Sequence, residues 1–186
     1  MKKIEFVYNK ILEESIENKN YKLTQKYLSK ELKLSLSTVN YALRPLWNMW
    51  SVKINSKNFE IINIKKILYY WASVRNLERD IIYKTRVDKN VSEIEKNIPD
   101  SALFTAYSYY KFKFNDVPAD YSEVYVYCNK EDIKKRFNET KGISNLFVLK
   151  KSFSKVTLAN LFVDLWNLKE WYAKDYLQEL ESKLKL

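Results

Sequence analysis

An α+β fold is expected from three features of this sequence. Apolar side chains recur at helical spacing through the first fifty residues, at Ile4, Val7, Tyr8, Ile11, Leu12 and Ile16, then Tyr27, Leu28 and Leu32, then Val39, Leu43, Leu46 and Trp47. Two short β-type runs, Ser51–Ile54 and Phe59–Ile62, flank Asn55-Ser56-Lys57-Asn58, which reads as a hairpin loop. Further on, alternating runs such as Glu123–Cys128 are interspersed with helical ones. The expected organisation is an N-terminal winged helix-turn-helix domain over residues 1–64, a connecting helix over 65–80 and a C-terminal mixed α/β domain over 81–186.

The elements follow in order. The first helix covers residues 2–17 and ends at Asn18-Lys19-Asn20. Thr24 is placed to cap the second helix and Ser35 the third, with Lys33-Leu34 turning the chain between them. After the hairpin, Ile64, Ile67, Leu68, Trp71, Val74 and Leu77 give the connecting helix its stripe. A strand is expected at Ile81–Val87, a helix at Ser101–Tyr110, a strand at Glu123–Cys128, a short helix at Lys130–Phe137 and a strand at Asn145–Leu149. Thr157–Leu184 reads as one or two helices, with a break near Asn167.

Composition narrows the function. Apolar residues make up 46% and charged residues 30%, which suits a globular chain and not a disordered one. No apolar run approaches the roughly 18 to 20 residues of a membrane span, and Met1-Lys2-Lys3-Ile4-Glu5 lacks the apolar core of a signal peptide. The single cysteine, Cys128, has no partner for an intrachain disulfide. A cytoplasmic protein with no membrane association is therefore expected. One glycine is too few for a phosphate-cradling loop or a dinucleotide fingerprint, and the absence of histidine removes triad chemistry and most zinc sites. No cofactor, metal or catalytic residue is expected.

The net charge is +10, and it is concentrated. Between Lys19 and Asn58 stand Lys19, Lys22, Lys26, Lys30, Lys33, Arg44, Lys53 and Lys57 against Glu31 alone. Such an excess suits a polyanion, and it coincides with a helix-turn-helix pattern over Thr24–Leu43. Leu28, Leu32, Leu34, Val39 and Leu43 would fill the core between the two helices, and Ser29 is small where they cross. Burying those positions turns Leu36, Ser37, Asn40, Tyr41 and Arg44 outward, on the face that enters a major groove. Asn40 suits a bidentate pair with adenine and Arg44 one with guanine, each worth about 1–3 kcal/mol of discrimination. Ser37 and Thr38, near the helix start, are placed for a phosphate. Lys53, Lys57 and Asn58 on the hairpin, with Thr24, Gln25 and Ser35 at the helix starts, complete the candidate DNA-binding set. Three residues depart from the usual pattern. Lys33 stands where a turn usually has glycine, Trp50 where a helix-ending glycine is common, and Pro45 lies inside the third helix.

The whole arrangement resembles the AbiEi family of antitoxin-type transcriptional regulators. The resemblance rests on Thr24–Ile62 with its Leu43-Arg44-Pro45-Leu46, on Ser101-Ala102-Leu103-Phe104-Thr105-Ala106-Tyr107-Ser108, and on Val156–Leu165 with its Leu-x-x-Asp-Leu pattern. It implies an autorepressor that binds inverted repeats in double-stranded DNA as a homodimer, and that offsets a nucleotidyltransferase toxin. A protein-interaction adaptor is the rival without DNA.

Enzymatic readings find less support. Pro99-Asp100 and Glu123-Val124-Tyr125 follow the layout of a restriction-type nuclease, but Tyr125 occupies the place of the essential lysine. No Gly-Ser exists to start a nucleotidyltransferase site, and Asp164 is expected to cap a helix or pair with a lysine. The spacing of Trp47, Trp71, Trp166 and Tyr172 assigns them to core rather than to base stacking. Lys130, Lys134, Lys135 and Arg136 form a second basic cluster, and Lys150 and Lys151 a third, both read as solvated surface.

Overall fold

A computed structural model describes residues 1–138 and 140–185. The chain is α+β, with two small sheets. It divides into two units, one of Met1–Arg75 with Thr157–Val163 and the end of the chain, the other of Asn76–Val156 with Asp164–Lys183.

The first unit begins with α1 (Lys3–Ile16), whose Val7, Tyr8, Ile11 and Leu12 are fully buried. There follow β1 (Lys22–Leu23), α2 (Gln25–Leu32), α3 (Leu36–Asn48), the hairpin β2 (Val52–Ile54) and β3 (Phe59–Ile61), and α4 (Ile64–Val74). The sheet runs β1-β3-β2, antiparallel throughout, with Leu23 opposite Phe59 and Phe59 opposite Ile54. The helix expected to connect two domains, α4, lies inside this unit, because Ile67, Leu68 and Trp71 are completely buried there. Thr157, from the far end of the chain, donates a 2.5 Å hydrogen bond to the Asn9 side chain of α1.

The second unit opens on a 3₁₀ turn (Glu78–Asp80) and β4 (Ile81–Thr85). Then come α5 (Val91–Asn97), β5 (Leu103–Thr105), α6 (Ala106–Phe114), β6 (Val124–Cys128), α7 (Lys130–Lys134) and β7 (Leu146–Lys150). Two C-terminal helices, α8 (Leu158–Trp166) and α9 (Ala173–Leu184), flank the expected break near Asn167; α8 runs from residues of the first unit into residues of the second. The sheet order is β4-β7-β6-β5, with β6 and β7 parallel and the other pairs antiparallel. All five residues of β6 are buried, as a strand covered on both faces requires. Val124, Val126, Leu146 and Val148 pack in one cluster, Tyr127 and Leu149 in another.

Three expectations need correction here, and one element had none. Ser101–Tyr110 is not one helix: Leu103–Thr105 pair with Tyr125–Tyr127 as strand β5, and the helix starts only at Ala106, whose φ of 50° makes the sharp bend. Trp47 and Trp166 are not core residues but 54% and 44% exposed, while Trp71 and Tyr172 are buried as expected. Asp164 accepts hydroxyl hydrogen bonds from Thr105 (2.8 Å) and Tyr127 (2.6 Å) in a buried setting, where a helix cap or a lysine was expected. The helix α5 has no counterpart among the expected elements; its Asn90 and Glu93 form a capping box.

Candidate nucleic-acid interface

The candidate residues lie around α2 and α3, and each helix starts as its cap residue dictates. The Thr24 hydroxyl accepts the Tyr27 N–H at 3.0 Å, and the Ser35 hydroxyl accepts the Thr38 N–H at 3.2 Å. The Ser37 and Thr38 hydroxyls each lie 2.9 Å from the Ser35 oxygen, so the start of α3 carries a cluster of three hydroxyls. Between the helices, Lys33 takes the left-handed conformation (φ 53°, ψ 41°) that its glycine-like place demands. Leu34 N–H then bonds Ser29 O, and Ser29 Oγ donates back to Leu34 O at 2.6 Å. Ser29 thus fixes the turn with its hydroxyl, in addition to being small.

Leu28, Val39 and Leu43 are fully buried between the helices, with Leu32 and Leu34 half-buried. Leu36, Ser37, Asn40, Tyr41 and Arg44 are exposed as expected. Pro45 does not end α3, which runs on to Asn48. Met49 N–H bonds Pro45 O, and the Lys66 ammonium donates to Met49 O at 3.1 Å, satisfying a carbonyl at the helix end. Trp50 follows at φ 57°, the conformation that its place at a helix end requires, and is 76% exposed.

A shallow groove of about 270 Å³ joins these elements. It is lined by Thr24, Gln25 and Lys26 from the start of α2, Leu36 from the start of α3, and Ile54–Phe59 from the hairpin. Lys57 and Asn58 therefore share one concave surface with Thr24, Gln25 and Leu36. Asn40, Tyr41 and Arg44 are not part of its lining; they sit further along α3. Lys53 is also outside the lining, and it stands opposite Glu60 in the sheet, which has Lys22 on its other side. Asn58 is tied into the hairpin, accepting from the Asn55 side chain at 3.0 Å. Lys26, in the lining, and Trp47, exposed on α3, were not anticipated as site residues.

α2 is anchored to α1 through a polar cluster. The Tyr27 hydroxyl donates to Glu14 at 2.7 Å, and the Lys10 ammonium lies 2.9 Å from Glu13 and 3.0 Å from Glu14. Burial alone would raise the Glu14 pKa, but the donors from Tyr27 and Lys10 outweigh it and bring it down to about 2.

The chain matches no family model, no curated protein and no solved structure.

The second unit holds the other candidate groups. Lys130 and Lys150 fall at neighbouring ends of the parallel strands β6 and β7. Several cations there are already engaged: Lys134 lies over the Tyr83 ring at 5.1 Å, Lys151 donates to Ser101 O at 2.5 Å, and Arg136 donates to Asn97 O at 3.3 Å. Of the carboxylates weighed for a nuclease, Asp100 is exposed and Glu123 accepts the Tyr172 hydroxyl, while the Tyr125 hydroxyl donates to Glu170 at 2.7 Å. Cys128 is buried and carries a free thiol. Among the described residues no cluster of three metal-ligating side chains occurs, and no helix is long and apolar enough to cross a membrane.

Proposed function

We propose that the first unit is a winged helix-turn-helix that binds double-stranded DNA sequence-specifically and acts as a transcriptional regulator. The observation that carries this reading is the pairing of two surfaces on one small unit. One is an outward α3 face bearing Asn40 and Arg44; the other is the adjoining groove where Lys26 and Lys57 meet the starts of two helices. No acidic residue occurs from Leu32 to Phe59, so nothing on this stretch repels phosphate. α3 enters the major groove, Asn40 and Arg44 meet base edges, and the hairpin follows the neighbouring backbone. Lysines of the groove and the hydroxyl cluster of Ser35, Ser37 and Thr38 supply phosphate contacts, which position the protein without selecting sequence.

The resemblance to AbiEi-type antitoxins extends this reading to an autorepressor that binds inverted repeats as a homodimer and counters a nucleotidyltransferase toxin. The test is a gel shift on the DNA upstream of its own gene, run with wild type, Arg44→Ala and Lys57→Ala. Arg44→Ala relaxes discrimination between cognate and scrambled duplexes; Lys57→Ala weakens both alike. Identical behaviour of the two variants, or no shift by wild type, overturns the assignment. A protein-binding adaptor is the second reading, favoured by the exposure of Trp47 and Trp50.

A further inference from the structure

We propose that Trp47 is a further DNA contact, laying its indole against the sugar–phosphate strand at the rim of the groove that Asn40 and Arg44 read. The inference rests on the DNA-binding reading of α3 and extends its footprint by one helical turn.

Because α3 continues through Pro45, Trp47 belongs to the same helix as Asn40 and Arg44. At 100° per residue, Leu36, Asn40, Arg44 and Trp47 fall within an arc of about 80°. All four are exposed, Trp47 at 54%. The adjoining arc, from Ala42 through Leu46 and Val39 to Leu43, is fully buried and ends about 40° short of Trp47. The indole therefore shares its stripe with the two base-reading candidates and is held there by the packing beneath.

Position along the helix assigns the contact. Trp47 lies seven positions beyond Asn40, about 10 Å at 1.5 Å per residue. The major groove is about 12 Å wide, and a recognition helix meets base edges with its N-terminal residues. With Asn40 at the groove floor, Trp47 reaches the rim, where deoxyribose and phosphate line the edge. An indole suits that place: its ring covers the apolar sugar face, and its N–H is a donor for a phosphate oxygen. Being neutral, it displaces no counterion.

The experiment measures affinity by fluorescence anisotropy across a salt series. The probes are a duplex of the upstream sequence and a random duplex of equal length. Wild type, Arg44→Ala, Trp47→Ala, Trp47→Gln and Trp47→Phe are compared, each first checked for an unchanged melting transition. Trp47→Ala and Trp47→Gln should weaken both duplexes alike, by about tenfold or more, with the log–log salt slope of wild type. Trp47→Phe should recover most of the loss. Unchanged affinity, or loss confined to the upstream duplex, overturns the assignment. So does a concentration-dependent oligomer that Trp47→Ala dissolves, since the indole would then bury against a second copy. If wild type binds neither duplex, the DNA-binding reading falls with it; if wild type binds and the Trp47 variants match it, only this inference falls.

Discussion

The guanidinium of Arg75 donates a 3.2 Å hydrogen bond to the carboxylate of Glu5, seventy positions earlier, with both side chains almost wholly buried. The same carboxylate oxygen accepts the Trp71 indole N–H at 3.3 Å, and the other accepts the backbone N–H of Lys2 at 2.9 Å. Glu5 thus joins the first turn of α1 to the last turn of α4. Glu5→Gln replaces a charge-assisted bond to a buried guanidinium with one to a neutral amide. It should cost about 1.5–3 kcal/mol, read as a lowered midpoint in urea denaturation.

Glu14 sets an acid limit on the docking of α2. Its pKa is depressed from 4.5 to about 2, so the stability it contributes is complete above pH 4.5 and is lost as pH falls from there toward 2. Tyr27→Phe removes one donor and should cost about 1–2 kcal/mol at pH 7. The difference between variant and wild type should shrink when the denaturation is repeated near pH 2, and a difference independent of pH would contradict the linkage.

Lys33 holds a left-handed backbone with a side chain attached. Lys33→Gly should raise stability by about 1 kcal/mol, because the strain of the β-carbon disappears while both turn hydrogen bonds remain. A scanning calorimetry trace with a higher Tm checks it.

Glu123 titrates in the opposite sense. Burial, followed by the neighbouring charge of Glu170, raises its pKa above 4.5. The folded state then holds a proton that the unfolded chain has lost. Stability from this group is greatest below pH 4.5 and declines as pH climbs through the raised value. Glu123→Gln should remove that decline and raise Tm at pH 7 relative to wild type, as a melting series from pH 4 to 8 would record.

If about six phosphates are contacted, the logarithm of the DNA association constant should fall against log salt with a slope near −5. Lys57→Ala should flatten that slope by about one unit, whereas a flat wild-type response would remove the electrostatic argument.

Much of the first unit was legible because its signals are local. Thr24 and Ser35 cap where their hydroxyls and the following apolar spacing required, and Lys33 takes the conformation its glycine-like position implied. Trp47 departs from its expected burial because it lies only about 40° around the helix from Leu43. Spacing alone did not tell the edge of the buried arc from the edge of the exposed one. In the second unit, β5 was hidden because its three residues run straight into α6 without glycine or proline; the bend falls on Ala106, a residue that rarely adopts positive φ. Glu60 lies just past the basic stretch in sequence, yet the sheet sets it opposite both Lys22 and Lys53, a pairing that linear charge spacing does not reveal.

The bond from Thr157 to Asn9 has a consequence for how this chain is made. A ribosome releases α1 to α4 well before it has translated Thr157–Val163, which complete the same unit. At about 5–20 residues per second, the nascent unit waits several seconds without that segment. Until then the Asn9 side chain lacks the hydroxyl that it meets in the finished fold, and the unit is completed only after Thr157–Val163 emerge.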